Sequence, residues 1–232
     1  MLDCGFYNLD CMEGLKELPD KSIGLCICDP PYGIDITRFN MGVGGGKAPH
    51  KNRYQNWGGL CASPKTYHAF NDEKPPDENF FKEIERVSKH RIIWGGNYFL
   101  DYLGRTPCLI VWDKGRRGLG FADCEIAWTD FTSPSRIYEF LWNGMLQGDM
   151  KNKEYRIHPT QKPVKLYEWL ISNYAKEDDI ILDTHVGSGS SLIACHNLKH
   201  KYIGFEIDKV YYDSAKKRIE QETAQMNIFD FI

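Results

Sequence analysis

Apolar and polar positions alternate along this chain with two different periods. Residues 23–28 form an unbroken apolar run, Ile-Gly-Leu-Cys-Ile-Cys. That is the pattern of a strand buried on both faces of a parallel sheet. Ahead of it, residues 6–9 predict a short strand ending in Asp10, and residues 12–18 an amphipathic helix stopped by Pro19-Asp20. Strand, helix and strand at this spacing make a βαβ unit, right-handed by default. Residues 79–88 place Phe80, Phe81, Ile84 and Val87 at helical spacing. A strand at 91–94, a short helix at 98–103 and strands at 108–112 and 125–129 follow, the last as the antiparallel return of a hairpin. A second regular set closes the chain: helix 164–174 behind Lys162-Pro163, strand 180–182, helix 192–198, strand 202–207 and a long helix over 210–225. No repeat of about 20–50 residues links the two halves.

Two stretches lack a period. Residues 37–78 carry Gly42, Gly44, Gly45, Gly46, Gly58, Gly59 and Pro75-Pro76. A loop this long in a compact domain is usually functional or disordered. It starts just after Tyr32, so the expectation is a mobile segment that faces a substrate, with a disordered insertion as the alternative. Residues 131–155 are irregular.

The strand at 23–28 delivers an acid to its carboxyl end: Cys28-Asp29-Pro30-Pro31-Tyr32. The two prolines forbid helix or ladder continuation and fix the backbone. Ligands of open α/β sheets bind at such strand ends. A rigid acid–proline–proline–aromatic turn suits a flat ring bearing an amine; a plain strand-end turn is the alternative. A second strand ends at Asp183 and runs into Gly187-Ser188-Gly189-Ser190-Ser191, which opens a helix. Glycine there permits positive φ and close approach of a ligand, and the helix start offers unpaired N–H groups. Glu206 ends the next strand about 20 residues on, where such folds hydrogen-bond a ribose. The full G-x-G-x-x-G pattern is absent, because Ser190, Ser191 and Leu192 follow Gly189. A pyrophosphate cofactor is therefore disfavoured, and a single nucleoside with a small zwitterion, such as S-adenosylmethionine, fits better.

Composition narrows the partners. With 232 residues, 42% hydrophobic and 26% charged, the chain has the makeup of a soluble globular protein able to bury a core as one domain. Its apolar runs are too short for a membrane span, and no basic-then-apolar leader precedes Asp3-Cys4, so a cytoplasmic location is expected. The eight cysteines form no CxxC pair, which favours buried free thiols over disulfides or a metal site; no metal is expected. The formal net charge is −3, yet basic residues cluster. Four lie between Arg38 and Arg53 without an acid; Lys114, Arg116 and Arg117 form a second group; Lys151, Lys153, Arg156 and His158 form a third. Basic loops on an acidic body can track phosphates, although solvated loop charge reads the same way.

These motifs together resemble the S-adenosylmethionine-dependent DNA amino-methyltransferases, specifically the β class, in which the catalytic half precedes the cofactor half. Asp29-Pro30-Pro31-Tyr32 is similar to the family's catalytic motif, and Asp183-Thr184-His185-Val186-Gly187-Ser188-Gly189-Ser190 to its cofactor loop. Glu206-Ile207-Asp208 resembles its ribose acid, Asp10-Cys11 the pair facing the cofactor's adenine, and His158-Pro159-Thr160-Gln161-Lys162-Pro163 the segment holding the methionine end. Arg86-Val87-Ser88, Trp94-Gly95-Gly96-Asn97-Tyr98 and Trp112-Asp113-Lys114 look like phage-type members. The chain departs where the family often has Asp-Pro-Phe, so His185 is expected to stack beside the adenine in place of the Phe.

The resemblance implies a permuted Rossmann-like α/β fold, with a mostly parallel sheet, one antiparallel strand and helices on both faces. It divides the single domain into a catalytic half (1–130), an irregular connector (131–157) and a cofactor half (158–232). It implies Asp29, Pro30, Pro31 and Tyr32 as catalytic residues. Cofactor contacts fall to Asp10, Cys11, His158, Thr160, Lys162, Asp183, His185, Gly187, Ser188, Gly189, Ser190, Ser191 and Glu206. The substrate that the resemblance implies is an adenine flipped from duplex DNA and methylated at N6. An acid opening the catalytic tetrapeptide favours adenine N6, whereas Ser is more usual for cytosine N4. Cytosine N4 methylation and a non-catalytic DNA-binding module are the alternatives. A homodimer would enlarge a small recognition surface, and a cognate restriction nuclease is a further partner raised by the resemblance.

Overall fold

A computed structural model of the chain describes residues 2–34, 74–115, 117, 122–143 and 146–229. Most of the 37–78 loop, the basic cluster from Arg38 to Arg53, and Arg116 lie outside them.

The described residues form ten strands and six α-helices: β1 Gly5–Tyr7, α1 Cys11–Lys16, β2 Ile23–Cys28, α2 Glu78–Val87, β3 Ser88–Trp94, α3 Leu100–Leu103, β4 Leu109–Asp113, β5 Cys124–Thr129, β6 Arg136–Glu139, β7 Trp142–Asn143, β8 Leu146–Gln147, α4 Val164–Tyr174, β9 Ile181–Asp183, α5 Ser190–Asn197, β10 Tyr202–Phe205 and α6 Lys209–Phe229. Eight strands form one sheet in the order β1-β10-β9-β2-β3-β5-β4-β6. Only β5 runs against the rest: it pairs antiparallel with both β3 and β4, while β4 and β6 pair in parallel. The expected mostly parallel sheet with one antiparallel strand is therefore present. β1 and β2, predicted as one βαβ unit, are separated by β10 and β9.

The two sides of β2 feed two cores. Leu25 and Ile27 pack with Ile92, Trp94, Ile110 and Trp112 beneath α4 and α5. Cys26 and Cys28 face the other way, with Ile93, Leu182 and Phe205, beneath α1 and α2. The side-chain period of two sends alternate residues to opposite helical layers. Every residue of β2 is buried, and each such aliphatic side chain contributes about 1.5–3 kcal/mol of burial energy. The cysteines at 26 and 28 are free thiols in this core. No helix among the described residues is long and apolar enough to cross a membrane.

Capping side chains set the helix starts. Asp10 Oδ1 accepts the Met12 N–H at 2.8 Å, and Asp77 Oδ1 accepts that of Phe80 at 3.1 Å; each satisfies an N–H the helix itself cannot. Arg86 then ties α2 to α1, donating to the Leu15 and Leu18 carbonyls at 2.8 and 2.9 Å.

The stretch expected to be irregular contains edge strand β6 and the β7–β8 hairpin. β6 is four residues long and largely exposed, and the hairpin strands have two residues each, so neither displays a readable alternation. Polar side chains hold this segment down. Gln147 exchanges hydrogen bonds with the Glu154 backbone, both at 2.8 Å. Glu154 Oε1 accepts the Val164 N–H at 2.9 Å, and its other oxygen pairs with Arg218 at 2.6 Å. Arg218, 6% exposed, also donates to the Ser188 carbonyl and Ser190 Oγ at 2.9 Å. One guanidinium thus joins α6, the connector and the start of α5. Removing one member of a buried pair strands the other, at a cost of about 3–5 kcal/mol. Arg218→Met is expected to lose stability of that order in urea titrations. A loss under about 1 kcal/mol, the range of an exposed pair, would contradict this account of the segment.

Candidate active site

β2 and β9 lie side by side in parallel, with Cys26 opposite Leu182. That register brings their carboxyl ends, and so Asp29 and Asp183, to one edge of the sheet. The chain leaves β2 toward β3 on one side and β9 toward β10 on the other. This divergence is the switch point at which such sheets open a binding crevice. β10 pairs with β1 in parallel, which sets Glu206 beside the turn that leads to Asp10. The Glu206 N–H donates to the Tyr7 carbonyl at 3.1 Å, and the Asn8 side chain donates to the Glu206 carbonyl at 2.8 Å.

Asp29 is engaged through both oxygens. The Tyr32 hydroxyl donates to Oδ1 at 2.5 Å, and the Lys162 ammonium pairs with Oδ2. Lys162 is buried, lies 3.1 Å from Glu125 of β5, and sits over the Trp94 ring. Glu125 in turn pairs with Lys114 at 2.5 Å. Burial opposes charge on Glu125, but the two ammonium groups overcome it and hold its carboxyl at about 2. Burial likewise opposes charge on Lys162, and Asp29 and Glu125 overcome it, raising its pKa. Pro30 is buried behind the acid. The Tyr32 ring stacks on Tyr98, with centroids 4.9 Å apart and planes 15° apart. Gly95 makes room for it: its φ is +67°, and a Cβ there would lie 2.2 Å from Tyr32 Cε1.

The second half of the edge is the glycine loop. Gly187 and Gly189 have φ of +55° and +81°, a region that favours glycine. A Cβ on Gly187 would sit 3.8 Å from the His158 ring, so loop and ring line the same space. Glu206 accepts the Gly187 N–H at 2.8 Å and the Asp208 N–H at 2.9 Å. The loop's first N–H is thereby held by the acid expected to take a ribose, which lies just past β10 rather than on it. Asp183 accepts from Ser191 Oγ at 2.5 Å and from the His185 N–H at 2.9 Å. Burial pushes its carboxyl up to about 7, against those two donors. Ser188 and Ser190 share a hydroxyl contact at 3.1 Å. His158 is brought down to about 3 by burial, with the Lys162 charge adding; Thr160 Oγ1 meets its Nδ1 at 3.0 Å. His185 is brought down to about 4 by burial, and its ring meets Phe80 edge-on at 5.5 Å. Cys11, beside Asp10, is raised to about 12 by burial and by that acid. Among the described residues no cluster of acids, histidines and cysteines has the makeup of a metal site.

Two basic residues have partners that the sequence did not indicate. Lys162, expected at the methionine end of a cofactor, has its ammonium on Asp29. Lys114, expected among the phosphate-tracking bases, turns inward to Glu125 and the Trp112 ring. Arg117 is exposed and pairs with Asp113 at 2.5 Å. Glu125, Tyr98 and Arg218 were not anticipated. Glu125 is the one charged residue in its strand, the one signal that could have marked it.

Residues 93–217 match the profile of the N6/N4 methyltransferase family, described as DNA methylase. The chain belongs to this family. The methyl donor of these enzymes is S-adenosylmethionine. The Type II methyltransferase M2.LlaDCHI of Lactococcus lactis subsp. cremoris is 40% identical over 240 residues, covering 92% of this chain and 88% of that one. The Type II methyltransferase M.HpaI of Haemophilus parainfluenzae is 40% identical over 100 residues, which span 43% of this chain and only 29% of that protein. Among solved structures, the M1.HpyAVI–SAM complex superimposes with a TM-score of 0.53 at 21% identity, covering 92% of this chain and 98% of that chain. The cytosine-N4-specific PvuII DNA methyltransferase gives 0.56 at 16%, covering 97% and 93%. These structures share the Rossmann-like methyltransferase fold.

The raised Asp183 carboxyl has a consequence for this enzyme's stability. An unfolded aspartate titrates near about 4, whereas folded Asp183 holds its proton to about 7. Between those values the folded state binds more protons, so Asp183 costs stability as pH rises and no further above about 7. The stability of the natural protein relative to Asp183→Asn should fall from pH 4 to 7, by at most about 1.4 kcal/mol per pH unit. Paired denaturant titrations check this; a flat or rising difference would contradict it.

Proposed function

We propose that this chain transfers a methyl group from S-adenosylmethionine to the exocyclic N6 amine of an adenine flipped out of duplex DNA. The observation that carries this reading is the Asp29-Pro30-Pro31-Tyr32 turn at the end of β2, adjacent to the Asp183–Gly189 loop at the end of β9. The residues present fit the donor. Gly187 leaves open the space that a Cβ would fill beside His158. Glu206 would take the ribose, Asp10 and Cys11 would flank the adenine ring, and His158 and Thr160 would meet the methionine end. Bound there, S-adenosylmethionine supplies an electrophilic methyl on a sulfonium.

The chain's own residues do the rest. Adenine's amine is a poor nucleophile because its lone pair is delocalised into the ring. Asp29 and the Pro30 carbonyl accept its two N–H hydrogens, which steers the nitrogen toward a tetrahedral shape and frees the lone pair. The amine takes the place on Asp29 Oδ1 that the Tyr32 hydroxyl holds at 2.5 Å. The Tyr32 ring stacks on the base, a contact worth about 1–3 kcal/mol. As the C–N bond forms, the C–S pair returns to sulfur and the amine gives a proton to Asp29. Positioning carries much of the rate, and fixed charge assists. Exposed Lys151 and Lys153 are available to the phosphates, so DNA affinity should fall with salt.

The first-position acid supports adenine. Cytosine N4 is the second reading, because the PvuII enzyme of that specificity shares the fold. The Type II designation of the relatives supports a modification role beside a cognate nuclease.

Two variants separate chemistry from cofactor capture. Asp29→Ala is expected to bind S-adenosylmethionine normally in calorimetry and to lose methylation of DNA. Glu206→Ala is expected to raise the dissociation constant for S-adenosylmethionine first. Turnover retained in Asp29→Ala, or normal cofactor binding in Glu206→Ala, would remove the corresponding role.

A further inference from the structure

Among the described residues, the most deeply buried cation is the Lys162 ammonium, whose side chain is 3% exposed. It comes from the segment before α4, in a stretch whose resemblance implied a cofactor contact. Its partners are instead Asp29 at the end of β2 and Glu125 on β5. Glu125 bridges on to Lys114 at the end of β4. The result is an alternating chain of four charges, Asp29–Lys162–Glu125–Lys114, running from the catalytic turn across the sheet edge. Alternation matters because Asp29 and Glu125 share a poorly hydrated region with Asp183 close by. Without a cation between them, the two acids would repel.

We propose that Lys162 is a positioning residue for the catalytic carboxylate, anchored by Glu125, rather than a ligand of the cofactor. This rests on the reading of Asp29 as the amine acceptor. Lys162 occupies Oδ2 and so leaves Oδ1, now held by the Tyr32 hydroxyl, as the oxygen that meets the amine. It also places a positive charge directly beside Asp29. Glu125 and the Trp94 ring restrict where the ammonium can sit. Because a carboxylate misplaced by about 1 Å can lose 10²-fold in rate, such restraint has kinetic value. The other titratable groups facing this cluster are Tyr32, Tyr167 of α4, His158 and Asp183.

The test uses the purified full chain, S-adenosylmethionine and duplex DNA from a methylation-free host. Lys162→Met keeps the length of the side chain and removes its charge. Glu125→Gln removes only the anchor's charge. The double variant Lys162→Met/Glu125→Gln removes one charge of each sign and serves if Lys162→Met alone does not fold. In Lys162→Met, or in the double variant, the single-turnover methylation rate should fall about 10²-fold, with calorimetric S-adenosylmethionine affinity unchanged. Glu125→Gln should show the same pattern with a smaller loss. If Lys162→Met instead weakens S-adenosylmethionine binding and keeps its saturated rate, Lys162 is a cofactor ligand and the proposal is overturned. A natural rate in Glu125→Gln would overturn the anchoring role. Asp29→Ala is measured alongside. Turnover retained there removes the underlying reading of Asp29. Inactivity there, with natural rates in Lys162→Met, removes this inference alone.

Discussion

Asp29 and Lys162 are 133 positions apart in sequence, and their ion pair joins the turn that follows β2 to the segment that leads into α4. Two other constraints have to hold for it to form. β9 must lie against β2, which brings the second half of the chain to the same sheet edge. Lys162 must also be buried, and a buried ammonium is tolerated only when paired. Asp29 alone would be an acid at a strand end. With Lys162 behind it and Tyr32 in front, it is an acceptor whose two oxygens have separate occupants.

The same edge gathers an excess of acid. Asp29, Asp183, Glu206 and Asp10 converge there, and burial pushes both Asp183 and Glu206 upward. An acidic crevice suits a sulfonium, whose positive charge it attracts and whose charge disappears when the methyl leaves. The buried histidines do not offset the acids. His158 and His185 are held neutral by burial. Lys162 is the cation that faces Asp29, and Arg218, the other buried cation among the described residues, is occupied by Glu154 and the serine carbonyl and hydroxyl at the start of α5.

Much of this arrangement was legible in the sequence because its elements announce themselves locally. Strand Ile23–Cys28 and helix Val164–Tyr174 have the bounds that their patterns predict. The antiparallel return at β5, the glycine loop and the acids at strand ends were readable for the same reason. What was not legible depends on long-range pairing. β6 and the β7–β8 hairpin are short and are held by Gln147, Glu154 and Arg218, none of which lies in a periodic pattern. Lys114 reads as one base of a surface cluster, and only the fold shows it paired with Glu125, which lies opposite Trp112 in the β4–β5 ladder. Lys162 reads as part of a cofactor segment because sequence order places it there. Its partner is set by which strand ends up beside β9.

The central claim is that the Asp29 turn presents an acceptor to adenine's exocyclic amine within DNA. The most direct measurement is to incubate methylation-free duplex DNA with the purified chain and methyl-labelled S-adenosylmethionine, digest to nucleosides and resolve them by mass spectrometry. The account predicts label in N6-methyladenine. Label in N4-methylcytosine, or DNA that carries none, would contradict it.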